Sequence, residues 1–243
     1  MGGPSGAAFV ARTEASGGSG YYEADTVLGV RYGAHERYER VVLDLGTGGE
    51  PAEKVPKWTL MSPTGDGLLR VTLPSMSRTA VSDGGFGDAL LESFYVVRAP
   101  EGGMFVDIFA RKPFAYRVLE LSDPARLVVD FKPSGSPLKA RPSAVGGDTV
   151  LVEPRVGARV GDTLTVSGYS RNFEASNSIA LTDSGGRIVV RRTVLSNDWA
   201  STWGYFEATL DVPPFGGKGT LRVGARSARD GNFEGVEVPV KGD

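Results

Sequence analysis

His35 is the only histidine among 243 residues, and the chain has no cysteine. A Ser-His-Asp relay would therefore have to use His35. It stands in the polar stretch Gly33-Ala34-His35-Glu36, and the chain has no Gly-x-Ser-x-Gly elbow. A packing role in the loop or at the start of the next strand fits it better. One histidine without cysteine leaves only carboxylates for zinc, so no metal site is expected. Thiolate chemistry and disulfides are excluded outright. Ser136-Pro137-Leu138-Lys139 has the Ser-x-x-Lys spacing of a class of serine acyl-transfer enzymes. That spacing works only on a helical turn, which Pro137 and its Gly/Pro surroundings forbid. Gly84-Gly85-Phe86-Gly87-Asp88 resembles a calcium-binding repeat, but it occurs once and its Asp is one place early. It reads as a flexible loop. No glycine-rich segment leads into a helix that could cradle phosphate. The 29 acidic residues include no pair whose spacing marks glycoside hydrolysis. The reading is a non-enzyme without a cofactor.

Aromatic residues offer more. In Trp203-Gly204-Tyr205-Phe206-Glu207-Ala208-Thr209-Leu210, alternation sends Phe206, Ala208 and Leu210 to one face. Trp203 and Tyr205 then share the other face with Glu207 and Thr209, and Trp199 lies just upstream. Exposed aromatics beside polar groups stack on sugar rings or anchor protein partners. The alternative is that Trp203 closes the edge of a sandwich. Phe173-Glu174 and Asp230-Gly231 are the other candidates for a binding rim. Their simpler reading has Phe173 plugging the end of a core and Asp230-Gly231 forming a turn that Gly231 permits.

These side chains need strands to hold them. Thirty-four glycines and 15 prolines cut the chain into short extended segments, and no window holds a convincing helical period. Residues 1–21 are rich in Gly, Ser and Ala and read as a flexible tether, trimmed after a removed leader or lipid anchor. Residues 22–133 form one β domain. Residues 134–147, with Pro137, Pro142, Gly146 and Gly147, read as a linker. Residues 148–243 show clean apolar/polar alternation, and Asp183-Ser184-Gly185-Gly186 reads as a hairpin turn. The fold class is all-β, two β-sandwich domains in tandem, the second immunoglobulin-like. The net charge of −2 implies no general attraction to nucleic acid or anionic membrane, and no apolar run is long enough to span a bilayer.

One phrase occurs twice: Arg40-Val41-Val42-Leu43-Asp44-Leu45 and Arg126-Leu127-Val128-Val129-Asp130-Phe131. Each reads as a strand with its apolar set on one face. If the copies pair antiparallel in register, Arg40 opposes Asp130 and Asp44 opposes Arg126. Exposed pairs of this kind would each add ~0.2–1 kcal/mol and would help fix register.

Together with Leu28-Gly29-Val30-Arg31-Tyr32-Gly33 and His35-Glu36-Arg37-Tyr38-Glu39, these phrases make residues 25–133 resemble the AMIN and AMIN-like family. Ser75–Leu91 looks like an insertion against that pattern. Residues 149–240 resemble the immunoglobulin-like domain of bacterial spore-germination proteins. The resemblance rests on Val152-Glu153-Pro154-Arg155-Val156-Gly157, Leu164-Thr165-Val166-Ser167-Gly168, Asn172-Phe173-Glu174-Ala175, Gly204-Tyr205-Phe206 and Ser227-Ala228-Arg229-Asp230-Gly231. Both resemblances imply an extracytoplasmic module of the bacterial cell envelope. The first implies peptidoglycan binding. The partner expected from them is cell-wall glycan or another envelope protein. The alternatives are a structural or assembly spacer in an envelope lipoprotein and an uncharacterised hydrolase.

Overall fold

The computed structural model describes residues 8–11, 14–19, 24–62, 67–87, 90–135, 144–227 and 229–242. The chain divides into two compact units, Met1–Val97 with Glu101–Pro142 and Arg98–Pro100 with Ser143–Asp243. Both are built of β-strands. Among the described residues, no helix is long and apolar enough to cross a membrane.

The first unit contains β1 (Glu14–Gly17), β2 (Thr26–His35), β3 (Tyr38–Thr47), β4 (Glu50–Pro51), β5 (Trp58–Met61) and β6 (Leu68–Leu73). It continues with β7 (Arg78–Thr79), β8 (Asp83–Gly85), β9 (Leu91–Arg98), β10 (Met104–Ala110), β11 (Phe114–Leu121) and β12 (Arg126–Pro133). One sheet runs β11-β12-β3-β2-β7, with β4 on β3; the other runs β1-β5-β6-β10-β9, with β8 on β9. Val41, Leu43, Leu45, Leu127, Val129 and Phe131 are fully buried and meet Leu60, Val71, Val106 and Ile108 in one core. Each side chain buried in this way contributes about 1.5–3 kcal/mol.

The two copies of the repeated phrase pair antiparallel in the expected register, Arg126 opposite Asp44 and Asp130 opposite Arg40. The energetics differ from the exposed pairs read from sequence. Asp130 is fully buried and accepts from Arg40 Nε at 2.6 Å and Nη2 at 3.0 Å. Arg117 on β11, directly opposite Asp130, adds Nε at 2.7 Å. Asp44 pairs with Arg31, at 2.6 and 2.7 Å. Burial pushes the Asp130 carboxyl up, but two guanidiniums more than offset this and hold it below the usual carboxylate range. Asp107, also buried, pairs with Arg70, and there burial outweighs the pairing and raises the carboxyl.

Two stretches read as loose are ordered. Glu14–Gly17 lies within the segment assigned to a tether, yet it pairs with Trp58–Met61 as β1. Glu120 holds it there, because Oε1 accepts from Gly18 N–H and from Trp58 Nε1, each at 2.8 Å. A Cβ on Gly17 would lie 2.3 Å from that oxygen and 2.8 Å from the Trp58 ring. Gly17→Ala should therefore displace the Trp58 indole and destabilise this edge by about 1–3 kcal/mol. Faster limited proteolysis ahead of residue 24 is the readout; an unchanged rate would contradict the packing. Part of the Gly84–Asp88 stretch, read as a flexible loop, is likewise packed. Gly84 and Gly85 lie in β8 and Phe86 is buried against Phe94, so the flexible-loop reading is corrected there. Buried Glu39 accepts from the N–H groups of Leu90 and Leu91, at 2.8 and 3.0 Å. Asp88 and the Ser136–Lys139 motif lie outside the described residues.

The second unit contains β13 (Ala144–Gly146), β14 (Thr149–Glu153), β15 (Arg159–Val160), β16 (Thr163–Ser170) and β17 (Ser176–Asp183). After these come β18 (Ile188–Leu195), β19 (Trp203–Asp211), β20 (Gly217–Arg226) and β21 (Phe233–Gly242). β13 occupies residues read as linker, and Ala144 packs on the core. One sheet runs β19-β16-β14-β13; the other runs β15-β21-β20-β17-β18, with β15 parallel to β21. Two sheets with their apolar rows turned inward make an immunoglobulin-like sandwich without a disulfide. The Asp183 side chain builds the β17–β18 turn, accepting from Gly185 and Arg187 N–H at 3.0 Å each, while Gly186 takes φ +78°.

Candidate functional site

Strand register gathers four loops at one end of the second unit. Thr149 lies opposite Ser170, Ser170 opposite Gly204, Ser176 opposite Leu195, and Ser178 opposite Gly224. The loops 147–148, 171–175, 196–202 and 227–232 therefore share that end, and they carry four of the six candidate residues, Phe173, Glu174, Trp199 and Asp230. Trp203 and Tyr205 follow on β19.

The 171–175 loop is the most constrained. Glu174 (φ 53°, ψ 26°) and Ala175 (φ 59°) are consecutive non-glycine residues in left-handed conformations. Each costs of order 1 kcal/mol or more and persists only where the surroundings enforce it. A buried polar network does so here. Asn172 Nδ2 donates to Thr149 Oγ1 (3.0 Å) and to Asn177 Oδ1 (2.8 Å), and Asn177 Nδ2 donates to the Ala175 carbonyl (3.0 Å). The Ser196 N–H donates to the same carbonyl at 2.9 Å. The Ser196 hydroxyl accepts from Ser170 at 3.1 Å and donates to the Asp198 carbonyl at 2.9 Å. Thr149, Ser170, Asn172, Asn177 and Ser196 are all buried.

The network turns Phe173 outward. It is 64% exposed, so the core-plug reading is corrected: the left-handed turn carries the ring away from the sandwich. Phe173 meets the 38%-exposed Trp199 edge to face, with centroids 5.2 Å apart at 76°. Trp199 sits on a loop closed by Asp198, whose Oδ1 accepts from the N–H groups of Trp199 (2.7 Å), Ala200 (3.0 Å) and Ser201 (3.0 Å). Burial raises the Asp198 carboxyl, and these donors more than offset it and leave it low. Leu195, 66% exposed, ends β18 at the same end of the unit.

The remaining candidates lie differently. Trp203 is 6% exposed and offers no free ring face. Along its row, exposure rises from Trp203 through half-buried Tyr205 to exposed Glu207, and the Tyr205 hydroxyl donates to Glu207. One face of β19 is thus covered at one end and wet at the other. Asp230 shapes its own turn, accepting from Asn232 N–H at 3.0 Å beside Gly231 at φ +73°. His35 stacks on Tyr38 at 4.4 Å, as a packing residue would. Among the described residues, no three His, Cys, Asp or Glu side chains converge to hold a metal.

Residues 150–232 match the family model of the immunoglobulin-like domain of bacterial spore germination. All four loops except the 147–148 turn lie within that match. No curated protein and no solved structure matches the chain. The Asn172–Asn177 network was missed from sequence. Its signal was two asparagines flanking a short loop between strands, a pattern shared with ordinary turns.

Proposed function

We propose that this chain is a non-catalytic, extracytoplasmic module of the bacterial cell envelope. On this reading it recognises peptidoglycan glycan through the Phe173–Trp199 end of its immunoglobulin-like unit. The exposed aromatic pair carries the reading. An edge-to-face pair makes an apolar corner, which suits the C–H face of a sugar ring or the methyl of an N-acetyl group. The loops beneath it are fixed before binding, so little ordering entropy opposes association. The germination-type match and the AMIN-like phrases of residues 25–133 support an envelope location. An envelope protein is the second reading, favoured by the exposed Leu195 at the same end of the unit, because a leucine gives sugar hydroxyls nothing to bond.

Sedimentation with purified peptidoglycan tests the proposal. The full chain should co-sediment at physiological salt, and Phe173→Ala/Trp199→Ala should weaken this at least tenfold, with unfolding temperature nearly unchanged. Wild-type chain remaining in the supernatant would refute glycan recognition and leave the protein partner.

A further inference from the structure

The sheet β15-β21-β20-β17-β18 ends differently on its two sides. On one side the two-residue β15 covers β21. On the other, β18 runs for eight residues, Ile188-Val189-Val190-Arg191-Arg192-Thr193-Val194-Leu195, and pairs only with β17 among the described residues. Its β-branched residues suit an extended chain, and it holds no proline or glycine to interrupt one. The Ser196 N–H donates to the Ala175 carbonyl in the register of this ladder. Antiparallel bonding alternates along the strand, so Asn177 with Val194 and Ile179 with Arg192 are the bonded pairs. The N–H and C=O groups of Arg191, Thr193 and Leu195 therefore point away from β17, along an open edge.

The side chains on this edge fall into two kinds. Ile188 and Leu195, 48% and 66% exposed, stand at its two ends, while Val190 and Val194 lean on the core. Arg191 and Arg192 lie between them, both exposed and on opposite faces of the strand. Arg192 donates to the Thr209 carbonyl at 2.8 Å, and neither arginine has a carboxylate partner among the described residues. Beside Arg191 and Thr193, β17 offers only Ala180 and Ser178. No Asp or Glu occurs between Asp183 and Asp198, and Asp183 is already paired with Arg187 at 2.9 Å.

A second copy does not suit this edge. If β18 paired with itself across a twofold axis that continues the sheet, the registers of greatest overlap would set Arg191 against Arg191 or Arg192 against Arg192. The chain itself supplies no strand of opposite charge from outside the described residues, because each of those segments contains at most one Asp or Glu. We infer that β18 accepts an extended acidic segment of a partner protein as an added strand, with two adjacent carboxylates gripping Arg191 and Arg192 on the two faces. Main-chain bonds to residues 191, 193 and 195 supply affinity, and the two guanidiniums with Ile188 and Leu195 select the side chains. The inference is independent of glycan recognition at the Phe173–Trp199 corner, since it uses the strand edge and not the loops.

The test is fluorescence anisotropy of a labelled synthetic peptide titrated with the full chain. The peptide alternates valine and threonine and carries two adjacent glutamates at its centre. Saturable binding tighter than about 1 mM is the expected result, with new amide-exchange protection at Arg191, Thr193 and Leu195. Replacing the glutamates by lysines should abolish binding, as should N-methylation of the four central peptide groups, which removes donors from both peptide edges. Arg191→Glu should weaken binding at least tenfold. Thr193→Pro removes an N–H that β17 does not use, and it should abolish binding while the chain stays folded. Phe173→Ala/Trp199→Ala should bind the peptide as the wild type does. Four outcomes would overturn the inference: no binding of the glutamate peptide, equal binding of the lysine peptide, binding unaffected by N-methylation, or self-association of the chain that Thr193→Pro abolishes.

Discussion

Asp130→Ala should lower the stability of the first unit by about 2–4 kcal/mol, because it leaves two guanidiniums facing each other without their shared carboxylate. Full burial of the pair would place the loss at the upper end of what broken buried ion pairs show. Arg40 and Arg117 keep 31% and 23% of their side chains exposed and reach some water, which brings the figure down. The acid limb supplies a second readout. The Asp130 pKa is depressed on folding, so its contribution is complete above the unfolded carboxylate value near 3.9 and is lost as pH falls through the lower folded value. Wild-type stability should fall below about pH 4, and Asp130→Asn should flatten that fall. An Asp130→Ala protein as stable as wild type would show that the pairing fixes nothing.

Asn177→Ala should damage both the stability and the candidate site of the second unit. Truncation removes the acceptor of Asn172 Nδ2 and a donor to the Ala175 carbonyl inside a buried network. Leaving buried polar groups unmet costs about 2–3 kcal/mol, which for a domain of this size is on the order of 10 °C in unfolding temperature. Its further effect is local. Glu174 and Ala175 hold left-handed backbone only because Asn172, Asn177 and Ser196 bind the loop. The variant should therefore release Phe173 and weaken the proposed peptidoglycan binding even where the domain remains folded. Amide exchange at residues 173–175 should rise far more than in β20. Uniform protection would contradict the support assigned to the network.

Sequence carried the sandwich and its registers because alternation acts residue by residue. Val41, Leu43 and Leu45 against Leu127, Val129 and Phe131 could face the core in one way only, and the in-register antiparallel pairing conditional on that face is the one observed, with Arg40 opposite Asp130. It could not show that Asp130 is buried, because the second guanidinium comes from Arg117, in a strand with no matching phrase. The docking of β1 was hidden for a similar reason. Gly17 looks like linker composition, but its missing Cβ is what lets Trp58 and Glu120 approach. At the candidate site, alternation gave Trp203 and Glu207 one face and could not reveal that the face is covered at one end. Phe173 escaped because Glu174 and Ala175 adopt a backbone region that their residue types seldom visit.

The three tryptophans differ in a way that gives the central claim a direct measurement. Trp58 and Trp203 are 4% and 6% exposed, whereas Trp199 is 38% exposed, so acrylamide quenching of the native chain reports chiefly on Trp199. Soluble glycan strands released from peptidoglycan should protect that fluorescence in the wild type at 0.5 M salt, with no protection in Trp199→Phe. Quenching that is unchanged by glycan strands, while the chain still sediments with peptidoglycan, would contradict recognition at the Phe173–Trp199 corner.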